Sequence, residues 1–116
     1  MKRQVLLIIS SDPRTSARPA EAVRIAAGVV PWLEVRMQIC FCNEAVLALD
    51  ELSADFPDGD VFEQHLPRLV EHELAPWVER TSASLKHIKN PLVSFKEVST
   101  DQLAQFAAGC DYVLNF

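Results

Sequence analysis

Apolar and polar positions along this chain fall into blocks that switch between the period of a strand and the period of a helix. Arg3 to Ser10 contains the unbroken apolar run Val5 to Ile9, the pattern of a strand covered on both faces rather than wetted on one. It reads as a central first strand. Ser11 to Ala17 is polar and holds Pro13. Pro19 follows where a first helical residue belongs, since its missing N–H would go unpaired there anyway, and this predicts a helix from Pro19 to Val30. Glu21, Arg24 and Gly28 make one narrow stripe on that helix, while Ala, Val and Ile fill the rest. Ala20, Ala22, Ala26 and Ala27 let it lie close to a sheet, and the remaining apolar surface favours self-association. Pro31 ends the helix. Leu33 to Cys42 then alternates, with Leu33, Val35, Met37, Ile39 and Phe41 on one face and Glu34, Arg36 and Gln38 on the other. Strand, helix and strand in so short a stretch make a βαβ unit, which pairs its strands in parallel.

The second half is more punctuated. Asn43 can cap a helix whose apolar positions Val46, Leu47 and Leu49 end near Leu52, and Ser53 to Asp60, with Pro57 and Gly59, reads as a surface loop. Val61 to Leu74 is helical in pattern but interrupted at Pro67, which predicts a turn before the proline and a helix after it. Leu74 to Glu79 reads as a short third strand and Ser82 to Ile88 as a short helix. Leu92 to Val98 alternates like an edge strand, with Ser94 and Lys96 outward. Ser99 and Gln102 form a capping box, Gly109 supplies a left-handed stop, and Tyr112 to Phe116 is a last strand. The expected architecture is α/β, a single domain over residues 1–116 with a mostly parallel five-stranded sheet and helices on both faces.

Composition narrows the function classes. At 116 residues and 49% hydrophobic, the chain has material for one core. Its longest apolar run is far shorter than the ~20 residues a bilayer crossing needs. A net charge of −5, with basic residues scattered singly, argues against a nucleic-acid surface, which requires clustered Lys and Arg. Three cysteines, two inside one strand, are no even framework of the secreted kind and read as reduced thiols in cytoplasm.

In an open parallel sheet, ligands bind beyond the carboxyl ends of the strands. That rule selects Ser10 to Ser16, Cys42 to Glu44, Glu79 to Ser82 and Glu97 to Thr100, a rim carrying Arg14, Thr15, Cys42, Asn43, Arg80, Thr81 and Ser82. Cys42, at a strand end and entering a helix N-terminus, has the setting of a reactive thiolate; the plainer reading, a small buried hydrophobe, is the commoner fate of a free cysteine. Cys40 shares its face, but Cα atoms ~6.6 Å apart along a strand lie at the far edge of disulfide geometry. Cys110 begins the last strand at the opposite end of the sheet, so no zinc set is expected. His65 and His72 straddle Pro67 and read as solvent-exposed. The hydroxyl-rich first loop has neither glycine nor a G-K-[ST] sequence, which points away from a nucleotide; Arg14 could clamp a small anion.

The opening VLLIISSDPRTSARPAEAVRIAAG, the strand and turn ICFCNEAV, the segment TSASLK and the ending GCDYVLNF, taken in order, resemble the DsrE/DsrF family, which includes the sulfur-relay TusC/TusD-type proteins. The resemblance implies a flavodoxin-like five-stranded sheet and assembly into trimers or hexamers, sometimes with related subunits. It also implies, in sulfur-transferring members, a cysteine after the third strand that carries a persulfide. Here that position falls at Thr81, with Ser82 beside it, and neither hydroxyl can hold one. The first loop also lacks the family's glycine and offers Arg14 and Thr15. Some members without the cysteine act as structural partners. The expectation is therefore a non-catalytic binding or scaffolding subunit, a cytoplasmic homo-oligomer without cofactor or metal and with neither nucleic-acid nor membrane partners. The alternatives are a persulfide carrier using Cys42 and a small-molecule or anion sensor.

Overall fold

A computed structural model describes residues 2–32 and 34–116. The order of elements is β1 (Arg3–Ile9), α1 (Arg18–Val29), β2 (Val35–Phe41), two 3₁₀ helices (Asn43–Leu49 and Glu51–Asp55), α2 (Asp60–Glu71) and β3 (Trp77–Glu79). A third 3₁₀ helix (Ala83–His87), β4 (Lys96–Val98), α3 (Thr100–Ala108) and β5 (Tyr112–Asn115) complete it. The strands form one sheet in the order β4-β3-β2-β1-β5, and every neighbouring pair is parallel. The fold is the expected α/β architecture on a five-stranded parallel sheet, with the apolar run of β1 between β2 and β5.

The two faces of the sheet carry unequal cores. Leu7, Ile9, Ile39, Phe41 and Val78 pack with α1, α2 and the first 3₁₀ helix through Ala22, Val23, Ala26, Val46, Phe62, Leu66 and Leu69. The opposite face is a smaller cluster of Leu6, Cys40, Cys42 and Val98 under Leu103 of α3, edged by a T-shaped contact of Trp77 with Phe106 at 4.8 Å between centroids. Alternation in β2 explains the division: Met37, Ile39 and Phe41 point to the large core, and Cys40 and Cys42 to the small one. Leu33 lies outside the described residues, and the strand begins at Val35.

Several elements depart from the sequence reading for physical reasons. The helix expected after Asn43 is two 3₁₀ turns, because Asp50 is extended between them and its carboxylate caps the second through the Leu52 N–H. That second turn takes in Ser53 to Asp55 of the expected loop.

Pro67 does not break α2, which runs through it. The proline costs about 3 kcal/mol in a helix interior. Burying Val61, Phe62, Leu66 and Leu69 on one face, at ~1.5–3 kcal/mol each, outweighs it. His65 consequently sits half-buried on a continuous helix, while His72 is exposed just beyond its end with Nδ1 against the Arg68 carbonyl at 2.9 Å.

Strands β3 and β4 are shorter than the alternation predicts, and the helix expected over Ser82 to Ile88 is a 3₁₀ turn. Gly109 closes α3 in a right-handed conformation, φ −91°; positive φ occurs instead at Asn43, Asp58 and Glu73. The capping box of Ser99 and Gln102 is formed in full.

Candidate functional site

Parallel register brings the carboxyl ends of β1, β2, β3 and β4 to one border, and hydrogen bonds sew their loops together. The N–H groups of Ser10 and Ser11 donate to the Phe116 carbonyl at 2.8 and 3.2 Å, and that of Cys42 donates to Ile9 at 2.8 Å. The Asn43 N–H, at φ 54°, donates to Ser82 Oγ at 2.9 Å. Glu79 accepts from the hydroxyls of Thr81 at 3.2 Å and Thr100 at 3.4 Å. Arg80, exposed, donates its N–H to the Val98 carbonyl. The loops after the second, third and fourth strands are thus one bonded unit.

Cys42 stands at this border but faces inward. It is 6% exposed, packed with Leu6, Cys40, Val98 and Leu103 on the α3 face. Cys40 and Cys42 are both free thiols, and Cys110 is a third at the far, amino end of the sheet, where the Asp111 N–H meets the Gln4 carbonyl. Cys40 Sγ donates to the Phe41 carbonyl at 4.0 Å, and the neighbouring Cys42 thiol, with burial adding to it, pushes the Cys40 thiol far upward. The adjacent Cys40 thiol lowers Cys42 against the opposing pull of burial and of the Glu79 carboxylate. Of the two, Cys42 is the more acidic, and α3 covers it.

Ser82, beside the position where the resemblance places a cysteine, is 5% exposed, and its hydroxyl accepts the Asn43 bond. Thr81 is exposed and turned to Glu79.

Arg14 is exposed and paired internally: Nε and Nη2 donate to Asp12 at 3.0 and 2.8 Å, and its backbone N–H donates to the same carboxylate at 2.9 Å. The Arg14 side-chain bonds hold the Asp12 carboxyl below its ordinary value. The Thr15 N–H closes the turn on the Asp12 carbonyl.

The rim opens into a cavity of about 510 Å³ between the first loop and the three 3₁₀ helices, lined by Arg14, Glu44, Leu47, Asp50, Leu52, Phe56, Ser84 and His87. Of the residues singled out from sequence, only Arg14 lines it; Thr15, Cys42, Asn43, Arg80, Thr81 and Ser82 do not.

Asp50, at the cavity floor, escaped the sequence reading. It is 3% exposed, and its carboxylate accepts the N–H groups of Leu52, Lys89 and Asn90 at 2.9–3.0 Å. Burial pulls this carboxyl upward, but the donors from Asn90, Leu52 and Lys89 overcome it and hold the group below its usual range. The available signal was an aspartate immediately before a polar, helix-compatible segment, the pattern of an N-cap.

This chain is similar to a crystal structure of the YchN protein from E. coli, with a TM-score of 0.82, 18% identity and full coverage of both chains. The fold is DsrE-type. At this identity the likeness fixes the DsrE-type architecture and leaves the chemistry to the residues themselves. No protein-family description matches the sequence, and no curated protein matches it either.

Proposed function

We propose that this DsrE-type chain is a non-catalytic binding or scaffolding subunit, related to the intracellular sulfur-relay proteins and working in the cytoplasm as an assembly of several copies. The observation that carries the reading is the use of Ser82. The position beside the resemblance's cysteine holds a buried hydroxyl that ties the loop after β3 to Asn43, a joint in the fold in place of an exposed nucleophile.

The assembly rests on surface left open: β5 is an edge strand whose consecutive side chains Tyr112, Val113 and Leu114 are all exposed, and Ile25 on α1 and Trp32 after it are exposed too. An uncharged open edge with apolar side chains is a surface that soluble chains cover. No helix among the described residues is long and apolar enough to cross a membrane.

Native mass spectrometry at micromolar concentration is expected to show a trimer or hexamer; a strict monomer overturns the assembly.

A second reading, persulfide carriage by Cys42, is favoured by its lowered pKa. In that reaction the thiolate attacks the outer sulfur of a donor persulfide, the donor S–S bond breaks, and the donor departs as a thiolate. Incubation with a cysteine desulfurase and its substrate, followed by peptide mass mapping, separates the two. The subunit reading expects no added sulfur on Cys42, and an added sulfur atom there establishes the carrier.

A further inference from the structure

The rim cavity carries charges that are not spent on each other. Arg14 and Glu44 both line it, yet among the described residues they form no ion pair; the partner of Arg14 is Asp12. Asp12 occupies Nε and one Nη2 position, which leaves the Nη1 donors of the guanidinium without a partner among the described residues. Glu44 is exposed and makes no side-chain hydrogen bond or ion pair among the described residues. A lone anion entering beside Arg14 meets the Glu44 carboxylate, and a lone cation beside Glu44 meets the guanidinium. A ligand carrying both charges satisfies both.

Beside Ser84, His87 and the committed Asp50, the remaining wall is apolar. Leu47, Leu52 and Phe56 line the same space, and Leu52 is 65% exposed, a large apolar side chain held at the cavity in water. The volume of about 510 Å³ lies within the range of small-molecule sites. A divalent cation fits poorly. The one other carboxylate there, Asp50, already accepts three backbone N–H groups, so its lone pairs are committed to holding the loops.

We propose that this cavity binds a free α-amino acid with an apolar side chain, its carboxylate on Arg14, its ammonium on Glu44, and its side chain against Leu47, Leu52 and Phe56. The proposal needs only the cavity of one protomer and stands whether or not the chain assembles.

Isothermal titration of the intact protein tests it with leucine, phenylalanine, isocaproate (leucine without its ammonium), isoamylamine (leucine without its carboxylate) and glycine. Leucine and phenylalanine are expected to bind. Loss of either charge, or of the side chain, is expected to weaken binding about tenfold or more, the scale of one charge-assisted hydrogen bond. Glu44→Gln is expected to lower leucine affinity by about the same factor while leaving isocaproate no weaker. A circular-dichroism melt at the wild-type temperature establishes that this exposed substitution leaves the fold intact. Isocaproate binding as tightly as leucine, leucine affinity unchanged in Glu44→Gln, or no heat with either amino acid at millimolar concentration overturns the proposal.

Discussion

Replacing Gly59 with alanine is expected to be among the most damaging single-methyl changes in this protein. Gly59 sits at the junction of the second 3₁₀ helix and α2 with an ordinary φ of −62°, so backbone freedom is not what the position demands. Space is the constraint: an added Cβ would overlap the Ser53 carbonyl oxygen and stand 2.8 Å from those of Ala54 and Phe56. These are backbone atoms, and no rotamer change relieves them. The Phe56 carbonyl also accepts the Gly59 N–H at 2.8 Å, so moving it breaks the turn that positions Val61 and Phe62 in the main core. The expected loss is about 3 kcal/mol, a fall in Tm of roughly 12 °C for a domain of this size. Thermal unfolding followed by circular dichroism checks it, and a Tm within about 3 °C of wild type would show that the junction yields.

The second large effect is expected at Asp50. Asp50→Ala strips the acceptor from the N–H groups of Leu52, Lys89 and Asn90, two of which belong to the segment leading into β4. It also leaves the antiparallel bridge between Asp50 and Pro91 without its carboxylate anchor. Unsatisfied buried donors cost about 1–3 kcal/mol each and do not add, so a total near 3–4 kcal/mol is expected.

The pH dependence has a definite sign. The folded carboxyl titrates below the ordinary aspartate range, so the folded state favours the anion. That stability is fully present above the unfolded carboxyl's pKa and is lost as pH falls through the folded one. Urea unfolding between neutral pH and about pH 3 is expected to show wild type losing more stability on acidification than Asp50→Ala. Parallel pH profiles would show that the donors do not depend on this charge.

How much of this was legible beforehand depends on whether the cause was local. The apolar run of β1 and the alternation of β2 announced a parallel sheet buried on both faces, and Ser99 with Gln102 announced the start of α3, because each pattern is complete within a few residues. Asp50 could not be read this way. It breaks a helix-compatible stretch by binding N–H groups 39 and 40 positions away, and only the folded chain brings them together. Pro67 argued locally for a break, and a buried face of four apolar side chains overrode it. The rim segments followed from topology, since parallel strands must end on one side. Which of their side chains share a cavity did not, because Arg14, Glu44, Leu52 and His87 come from separate turns. Nor could the sequence disclose that Cys42 lies beneath Leu103, although its alternation with Cys40 already placed the two thiols on one face.

The thin layer formed by α3 has a kinetic consequence. This helix is fastened to the sheet by one buried side chain, Leu103, with Phe106 and Ala107 packed at the margin, whereas α1 and α2 are bedded in the larger core. Segments with few buried apolar contacts open at free energies below that of the whole domain. The two thiols beneath it are then protected by a hatch rather than a wall. The rate at which an alkylating reagent consumes them counts how often α3 lifts, and indole fluorescence from Trp77 reports the same excursion.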